Sequence, residues 1–242
     1  MYRHVVLAVL LALCAGCASQ RDTVRRGPWP GDATPFGVAK GRRQISTWGG
    51  GWEAIGPHAD IISSVSVFGL NREFVDKCHG ADIEVYLAIG GDVSAFDTPE
   101  RADASIQQLL KRCDELGIDG VDLDFERFGA ELREEYTAYI VAMADALHQR
   151  GLKLSICVDS MMPGDPVAWL RYDPEVIGRV CDQVRVMCYC YMWAKGGQLG
   201  PTCTRPWAKD AMLAWMKFVP REKLVMGLPA FSHDVAVANH SG

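Results

Sequence analysis

The chain has 242 residues, of which 49% are hydrophobic and 23% are charged, proportions that are ordinary for a globular protein. This length is enough for one sizeable domain with its own hydrophobic core. The formal net charge of -5 provides no basic surface of the kind that nucleic-acid binding requires, so we do not expect a nucleic-acid partner.

The first 17 residues are predicted to be a secretory signal. Arg3 and His4 precede an apolar run that is too short to span a bilayer as a stable helix. Residues 13–17 resemble a bacterial lipobox, in which Cys17 would carry a lipid that anchors the protein to a membrane. Secretion with ordinary cleavage is the alternative, and both predict an exported protein. Residues 18–42 are rich in Pro, Gly and charge, which predicts a tether between membrane and domain.

From residue 43 to residue 242, strand-like and helix-like segments alternate. Apolar and β-branched runs predict seven strands, over residues 44–48, 61–68, 83–89, 120–126, 152–158, 183–189 and 224–228. Helical spacing and end signals predict helices near 71–78, 98–117, 130–150, 174–180 and 208–218. Strands separated by helices pair in parallel, which predicts an α/β fold, either a (β/α)8 TIM barrel or an open doubly wound sheet. No GxGxxG follows the first strand, which disfavours an open nucleotide-binding sheet.

The most informative segment is residues 117–126, GIDGVDLDFE. Side chains alternate faces on a strand, so Asp122, Asp124 and Glu126 share one face and the apolar residues between them meet covering helices. Three neighbouring acids on a central strand are costly to bury and cannot all ionise freely. The alternative is an edge strand with a solvated acidic face, and the apolar opposite face argues against it.

Glycosyl transfer is the chemistry that this arrangement suits. Glu126 would lie at the carboxyl end of its strand, which in a barrel is the mouth where active sites are found. We expect the neighbouring acids to raise the pKa of Glu126, so that it stays protonated and donates to a leaving oxygen.

The acidic segment resembles the D-G-x-D-x-D-x-E signature of glycoside hydrolase family 18, the family of chitinases and endo-β-N-acetylglucosaminidases. Its four acidic positions match Asp119, Asp122, Asp124 and Glu126. Weaker matches follow in the order of the family at residues 87–91, 186–190 and 223–229. The resemblance covers roughly residues 43–232 and implies a (β/α)8 barrel.

Two of the weaker matches contribute further candidate residues. The third-strand S-x-G-G of the family is A-I-G-G here, which contributes Gly90 and Gly91 as substrate contacts. The sixth-strand M-x-Y-D is M-C-Y-C here, which contributes Met187, Tyr189 and Cys190. Cys190 replaces an Asp that in the family contacts the sugar and influences the acid, so the pH profile and the rate are left open.

The resemblance implies a substrate-assisted retaining mechanism, in which the acetamido oxygen of the substrate takes the place of a protein nucleophile. Glu126 would protonate the glycosidic oxygen and later activate water. Asp124 would bind the acetamido N–H, with its charge tuned by Asp122, and Tyr189 would hold the acetyl carbonyl. Asp119 is carried over with the substrate-binding residues. The implied partner is an N-acetylglucosamine-containing glycan, such as a chitin oligomer, peptidoglycan or the N-glycan core.

No eighth strand is evident after residue 228, although in the family that strand carries a sugar-stacking Trp. We therefore expect either a C-terminally incomplete barrel domain or an unusual closure, since an unclosed barrel exposes two edges. Trp48 and Trp193 lie near the carboxyl ends of the first and sixth strands. Their rings either stack on sugar or pack against the rim.

The remaining residue types indicate no further chemistry. The six histidines lack H-E-x-x-H or similar spacing, so we expect no metal site and no cofactor. Two of the nine cysteines lie in the predicted signal. We expect the others, an odd number, to be mostly small buried side chains, and one disulfide among them remains an alternative. The leading hypothesis is an endo-acting hydrolase of β-1,4-linked N-acetylglucosamine glycans. The rival is a catalytically silent glycan-binding barrel, which Glu126 disfavours and Cys190 favours.

Overall fold

The computed structural model describes residues 45–160, 170–191 and 200–230. The predicted signal at 1–17, its Cys17, the tether at 18–42 and Trp193 all lie outside these residues. Within the described ranges, no helix combines the length and the apolar character needed to cross a membrane.

Seven strands form one parallel sheet, in which each strand pairs with the next strand of the chain. They are β1 (Ile45–Trp48), β2 (Ile62–Val67), β3 (Glu84–Gly90), β4 (Gly120–Asp124), β5 (Lys153–Asp159), β6 (Gln183–Met187) and β7 (Leu224–Gly227). This order with helical crossovers is that of a barrel rather than a doubly wound sheet, so the predicted fold class is confirmed. No eighth strand is found in the part of the chain that the structure describes.

Six helices accompany the strands in the described ranges. They are α1 (Trp52–Ile55), α2 (Arg72–His79), α3 (Pro99–Leu116), α4 (Arg133–His148), α5 (Pro174–Val180) and α6 (Arg205–Trp215). The predicted ends of α3 are confirmed, because the Thr98 side chain accepts a hydrogen bond from the Arg101 N–H and Gly117 is left-handed at φ 64°.

The outer face of the sheet packs against the helices and forms the core. Val121 and Leu123 of β4 are fully buried there. Phe125 continues this face and meets the rings of Phe96 and Tyr136 edge-on, at centroid distances of 5.1 and 5.9 Å. The predicted alternation along the acidic segment is therefore present. Because β4 lies fourth in a seven-stranded sheet, the edge-strand alternative is wrong.

The inner face is polar and surrounds a narrow lumen. Arg185 of β6 donates a hydrogen bond to Ser46 Oγ of β1, and Trp48 of β1 donates one to Asp122 of β4. Neither pair of strands is adjacent in the sheet, so these bonds cross the interior. The sheet is therefore curled, and its curvature brings side chains from distant strands together.

Two predicted strands end two residues earlier than expected. β4 ends at Asp124 and β6 at Met187, so Glu126 and Tyr189 lie in the loops that follow. The reason for the first difference is pairing, because Gly90, the last residue of β3, is the partner of Asp124. Beyond this register β3 offers no further backbone groups to extend β4.

The seven cysteines of the described ranges are all free thiols, and five of them are buried. The interpretation of these residues as small buried side chains therefore holds for Cys78, Cys113, Cys157, Cys181 and Cys188. No disulfide forms among the described cysteines.

Candidate active site

Asp122 is the innermost acid of the lumen and is fully buried. Its Oδ2 accepts a hydrogen bond from Trp48 Nε1 at 2.9 Å and lies 3.8 Å from the Cys157 thiol. Arg185 Nε is 3.5 Å from the same oxygen. The other oxygen, Oδ1, is buried and has no partner among the described groups. A buried carboxylate needs a compensating charge, and the guanidinium provides it.

Asp124 lies one layer closer to the mouth, on the same face of β4. Burial, followed by the negative charges of Glu126 and Asp122, raises the pKa of Asp124 to about 7. A hydrogen bond from the Cys157 thiol acts in the opposite direction. A carboxyl in such surroundings resists ionisation because water is excluded and like charges are close. Asp124 can therefore gain or lose a proton near neutral pH.

Glu126 is exposed at the mouth of the lumen, in the loop after β4. Partial burial of its carboxyl, followed by the charge of Asp159, raises the pKa of Glu126, while Arg127 and Arg171 lower it. The direction agrees with the expectation from the sequence, but the cause differs. The main contributions are desolvation and an acid from β5, whereas repulsion along β4 acts on Asp124.

Arg171 and Asp159 hold the loop that carries Glu126. Arg171 donates a hydrogen bond to the main-chain oxygen of Glu126 and lies 3.3 Å from Asp159 Oδ2. Its guanidinium also covers the Phe128 ring, 5.7 Å from the centroid. Trp215 Nε1 in turn donates to the Asp159 main-chain oxygen at 2.8 Å. Sequence reasoning missed Arg171, because nothing in its local pattern distinguishes it from a surface Arg before a helix.

The end of β6 brings a phenol and a thiol to the acids. Met187 is buried at the last strand position. Burial raises the pKa of the Tyr189 phenol, and the charges of Asp124 and Glu126 contribute to this rise. Cys190 has a left-handed backbone, with φ 65°, and burial together with Glu126 raises its pKa. The structure therefore brings Tyr189 and Cys190 into the electrostatic range of the acids.

Trp48 and Phe68 form an exposed apolar wall beside the acids. The rings meet edge-on, with centroids 4.9 Å apart and an interplanar angle of 84°. Trp48 is 45% exposed and Phe68 is 50% exposed, at the carboxyl ends of β1 and β2. Phe68 was missed in the sequence, although its parity with the buried Ser64 and Ser66 on β2 indicates an inward direction.

The two predicted glycines have a backbone role next to the acids. A Cβ on Gly90 would lie 2.1 Å from the main-chain oxygen of Asp124, so only glycine fits between β3 and β4 at that position. Gly91 has φ 110°, a conformation that residues with a side chain rarely adopt. Gly90 therefore allows the strand carrying Asp124 to approach closely, and Gly91 allows the backbone conformation that follows β3.

Asp119 is not brought to the site. It lies before the amino end of β4, about 10 Å of strand rise from Asp122, whereas Glu126 lies at the opposite end. Its Oδ2 accepts a hydrogen bond from the Val85 N–H at 2.7 Å and is 2.9 Å from His79 Nε2. Asp119 therefore fixes α2 to the amino end of the sheet, and the structure does not bring it to the acids of the lumen.

The acids of this lumen have three different environments. Asp122 is paired with a fixed cation, Asp124 has a pKa near neutrality, and Glu126 is open to solvent. Such a set can donate a proton at the mouth and hold negative charge behind it. In the described ranges, no group of three or more His, Cys, Asp or Glu residues is arranged to hold a metal ion.

Comparisons with known proteins agree with this geometry. Residues 58–242 match the family described as Glycosyl hydrolases family 18. The chain is 28% identical over 139 residues to the uncharacterized glycosylase YvbX of Bacillus subtilis (strain 168), covering 55% of this chain and 39% of that protein. The chain spans less than half of the length of each curated relative that it matches.

Solved structures share the fold. The class V chitinase from Pseudomonas fluorescens Pf-5 superimposes with a TM-score of 0.70 at 19% identity, over 77% of this chain and 68% of that chain. A mutant of catalytic domain 2 of the Group II chitinase from Ostrinia furnacalis, in complex with penta-N-acetylchitooctaose, gives a TM-score of 0.60 at 18% identity. That match covers 78% of this chain and 64% of that chain.

Proposed function

The chain belongs to family 18 of the glycosyl hydrolases, and we propose that it is a retaining glycosidase of β-1,4-linked N-acetylglucosamine glycans. The observation that carries this proposal is the placement of Asp122, Asp124 and Glu126 at successive depths of one lumen, with the outermost acid open to solvent. The aromatic wall of Trp48 and Phe68 beside them offers apolar faces to sugar rings.

In the first step Glu126 gives its proton to the glycosidic oxygen while the bond from that oxygen to the anomeric carbon breaks. The acetamido oxygen of the same sugar forms a new bond to that carbon, which makes a cyclic cation. Asp124 accepts a hydrogen bond from the acetamido N–H and stabilises the positive charge. In the second step water attacks the anomeric carbon, the bond from that carbon to the acetamido oxygen breaks, and a proton of the water goes to Glu126, so the configuration is retained.

Tyr189 and Asp122 support this chemistry from either side of Asp124. The buried phenol of Tyr189 lies close enough to feel the charges of Asp124 and Glu126, which suits a donor to the acetyl carbonyl. Asp122 is the anion behind Asp124 and contributes to the raised pKa of that carboxyl.

The direct test is hydrolysis of a fluorogenic di-N-acetylchitobioside. We expect Glu126→Gln to lower kcat by about 10²- to 10⁴-fold, since proton donation by a side chain contributes that much. Glu134→Gln, at an exposed position in the first turn of α4, is the matched control and should leave kcat unchanged. Equal rates for the wild type and Glu126→Gln would contradict the proposal.

Chitin-type oligomers are the glycans we propose first, ahead of peptidoglycan strands and the N-glycan core. The support is that the Ostrinia furnacalis chitinase domain with the same fold was solved with an N-acetylchitooligosaccharide bound. Parallel assays on the three glycans, with product separation by mass, distinguish them. Preferential release of N-acetylglucosamine from peptidoglycan would redirect the assignment within the same chemistry.

A catalytically silent glycan-binding barrel is the second candidate, and Cys190 is the observation that favours it. This thiol lies near Glu126 where the family pattern has a carboxylate. The silent barrel would bind chitin oligomers with the same affinity in the wild type and Glu126→Gln and would cleave them in neither. Calorimetric binding measured beside the hydrolysis assay separates the two candidates.

We also propose that the protein is exported and is tethered to a membrane through a lipid on Cys17. The support is the lipobox-like sequence and the Pro- and Gly-rich segment at 18–42. Metabolic labelling with a radioactive fatty acid should label the wild type and not Cys17→Ala. Label in both, or in neither, would contradict lipid attachment at this residue.

A further inference from the structure

Arg185 places a fixed positive charge inside the lumen. Its side chain is only 7% exposed, and it projects from β6 toward β1 and β4. Guanidinium does not lose its proton in proteins, so this charge is permanent. Buried cations require a counter-charge, and Asp122, whose side chain is 0% exposed, lies 3.5 Å away.

The guanidinium is held in one orientation by several groups. Its Nε donates to Ser155 Oγ at 2.8 Å, one terminal nitrogen donates to Ser46 Oγ, and the other donates to Gln183 Oε1 at 3.0 Å. The plane also lies over the Tyr86 ring, 5.7 Å from its centroid. The cation is therefore fixed beside Asp122 and cannot follow Glu126 or the substrate.

Within the ranges that the structure describes, the other groups near Asp122 are neutral or acidic. Burial raises the pKa of the Cys157 thiol well above its usual value, so it is neutral at physiological pH. The second cation of the site, Arg171, pairs with Asp159 of β5 rather than with Asp122. The groups that face Asp122 or its neighbour Asp124 are Trp48 from β1, Cys157 and Asp159 from β5, Arg185 from β6, Tyr189 after β6, and Glu126.

We infer that Arg185 is a positioning residue, which keeps Asp122 as the anionic member of the Asp122–Asp124 pair and so leaves the proton of the pair on Asp124. Oδ2 of Asp122 accepts a hydrogen bond from Trp48 and lies 3.5 Å from Arg185 Nε, whose own hydrogen is donated to Ser155. The buried Oδ1 has no partner among the described groups. A protonated Asp124, two residues along the same face, is the group that can donate to Oδ1.

This assignment deepens the proposed function, because it decides which acid is charged before the substrate arrives. With Asp122 already anionic, Asp124 holds the proton in the empty site. When a cation develops on the sugar, Asp124 passes this proton to the unpartnered Oδ1 of Asp122 and becomes the anion. Without Arg185, Asp122 would be an uncompensated buried anion and would take the proton itself. Asp124 would then be charged too early, and its later stabilisation of the sugar cation would be weakened.

The test follows the two carboxyls directly by nuclear magnetic resonance of full-length protein labelled with ¹³C at the Asp carboxyl carbons. Asp122→Asn and Asp124→Asn assign the two signals. In the wild type we expect Asp124 to titrate near neutral pH. In Arg185→Met we expect the proton on Asp122, with the titration of the pair moved up by about one pH unit or more.

Arg185→Lys separates charge from packing. Lysine keeps the cation but loses the planar fork, so the charge account predicts that Asp124 keeps the proton and that most of kcat remains. A role in packing alone predicts that Lys and Met variants lose activity alike, with an unchanged titration of the pair. For Arg185→Met we expect kcat to fall about tenfold with a smaller change in KM, because the ground-state contacts of the sugar remain.

The outcomes separate this inference from the proposed function. An unchanged titration of Asp122 and Asp124 in folded Arg185→Met, or Asp122 protonated in Arg185→Lys, would overturn the inference and leave the glycosidase proposal intact. If the wild type cleaves no N-acetylglucosamine substrate, the proposed function fails, and the titration still reports whether Arg185 decides the position of the proton.

Discussion

The indole of Trp48 donates a hydrogen bond of 2.9 Å to Asp122, although the two residues are 74 positions apart in the chain. The same ring is 45% exposed and meets Phe68 at the mouth of the lumen. One side chain therefore joins the surface that a sugar ring can cover to the most deeply buried acid. A glycan that covered this ring would therefore be coupled to the environment of Asp122.

Trp48→Phe should remove the hydrogen bond and keep an aromatic face. We expect the free energy of unfolding to fall by about 1–3 kcal/mol, because a buried carboxylate loses a donor. Trp48→Ala should lose the same bond and also weaken glycan binding, since the ring is gone. Denaturant unfolding and calorimetric binding to a chitin oligomer measure the two effects. Equal glycan affinity in both variants would show that the ring does not contact sugar.

Asp124 should make the protein less stable as the pH rises from about 4 to about 7. The pKa of Asp124 is raised from 3.8 to about 7 in the folded state, so only the unfolded chain releases its proton within this window. The stability contribution is thus complete below about pH 4 and is lost as the pH passes 7, an effect of about 2 kcal/mol after allowance for partial exposure. Urea unfolding across this range should show the stability of the wild type falling relative to that of Asp124→Asn as the pH rises, because the Asn side chain does not titrate. A difference that is independent of pH would contradict the raised pKa.

Cys190→Asp should raise the pKa of Glu126 further. A carboxylate near Glu126 disfavours its ionisation, so the high-pH limb of the kcat profile should move up by about half a pH unit or more. The left-handed backbone at Cys190, with φ 65°, is more easily adopted by Asp or Asn than by Cys. Cys190→Asn is the matched control, with the same shape and no charge. A shift of equal size in both variants would assign the effect to shape rather than charge.

Asp119→Ala should reduce stability without affecting catalysis. The Asp119 carboxylate holds the Val85 N–H and His79 at the amino end of the sheet, and its loss leaves a backbone donor unpaired. We expect about 1–3 kcal/mol less free energy of unfolding and a change in kcat/KM of less than about twofold. A large loss of kcat/KM in folded Asp119→Ala would return this residue to the substrate site.

The same arrangement occurs a second time, which provides a control for Asp119. Asp182 accepts a hydrogen bond from the Leu154 N–H at 2.7 Å and lies 2.8 Å from His148 Nε2. Asp182→Ala should therefore match Asp119→Ala in its loss of stability. Asp119 belongs to the acidic signature and Asp182 does not, so equal effects would show that position in the barrel decides the role.

The barrel and the deep acids could be predicted from the sequence because both depend on periodicity. Alternation along β4 places Asp122 and Asp124 inward whatever surrounds them, and helix end signals such as Thr98 and Gly117 are local. The position of Glu126 was harder to predict, because β4 ends two residues before it and the loop that carries it is held by Arg171. That contact joins segments that have no common sequence pattern.

The remaining features depend on curvature, which a one-dimensional pattern does not contain. In the sequence Arg185 is simply a polar residue within a predicted strand. Only the curvature of the sheet brings its side chain to Asp122 and Ser46. The position of Asp119, away from the lumen, was missed for a different reason. The acidic signature does not show that β4 separates Asp119 from Glu126, so that the two residues lie at opposite ends of the sheet in different environments.

The most direct test of the substrate-assisted mechanism compares two fluorogenic substrates, a di-N-acetylchitobioside and the cellobioside that carries hydroxyls in place of its acetamido groups. Because the acetamido oxygen is the nucleophile, we predict cleavage of the first with retention at the anomeric carbon, and no detectable cleavage of the second. Comparable cleavage of both substrates would show that the nucleophile comes from the protein or from water, and would contradict the mechanism.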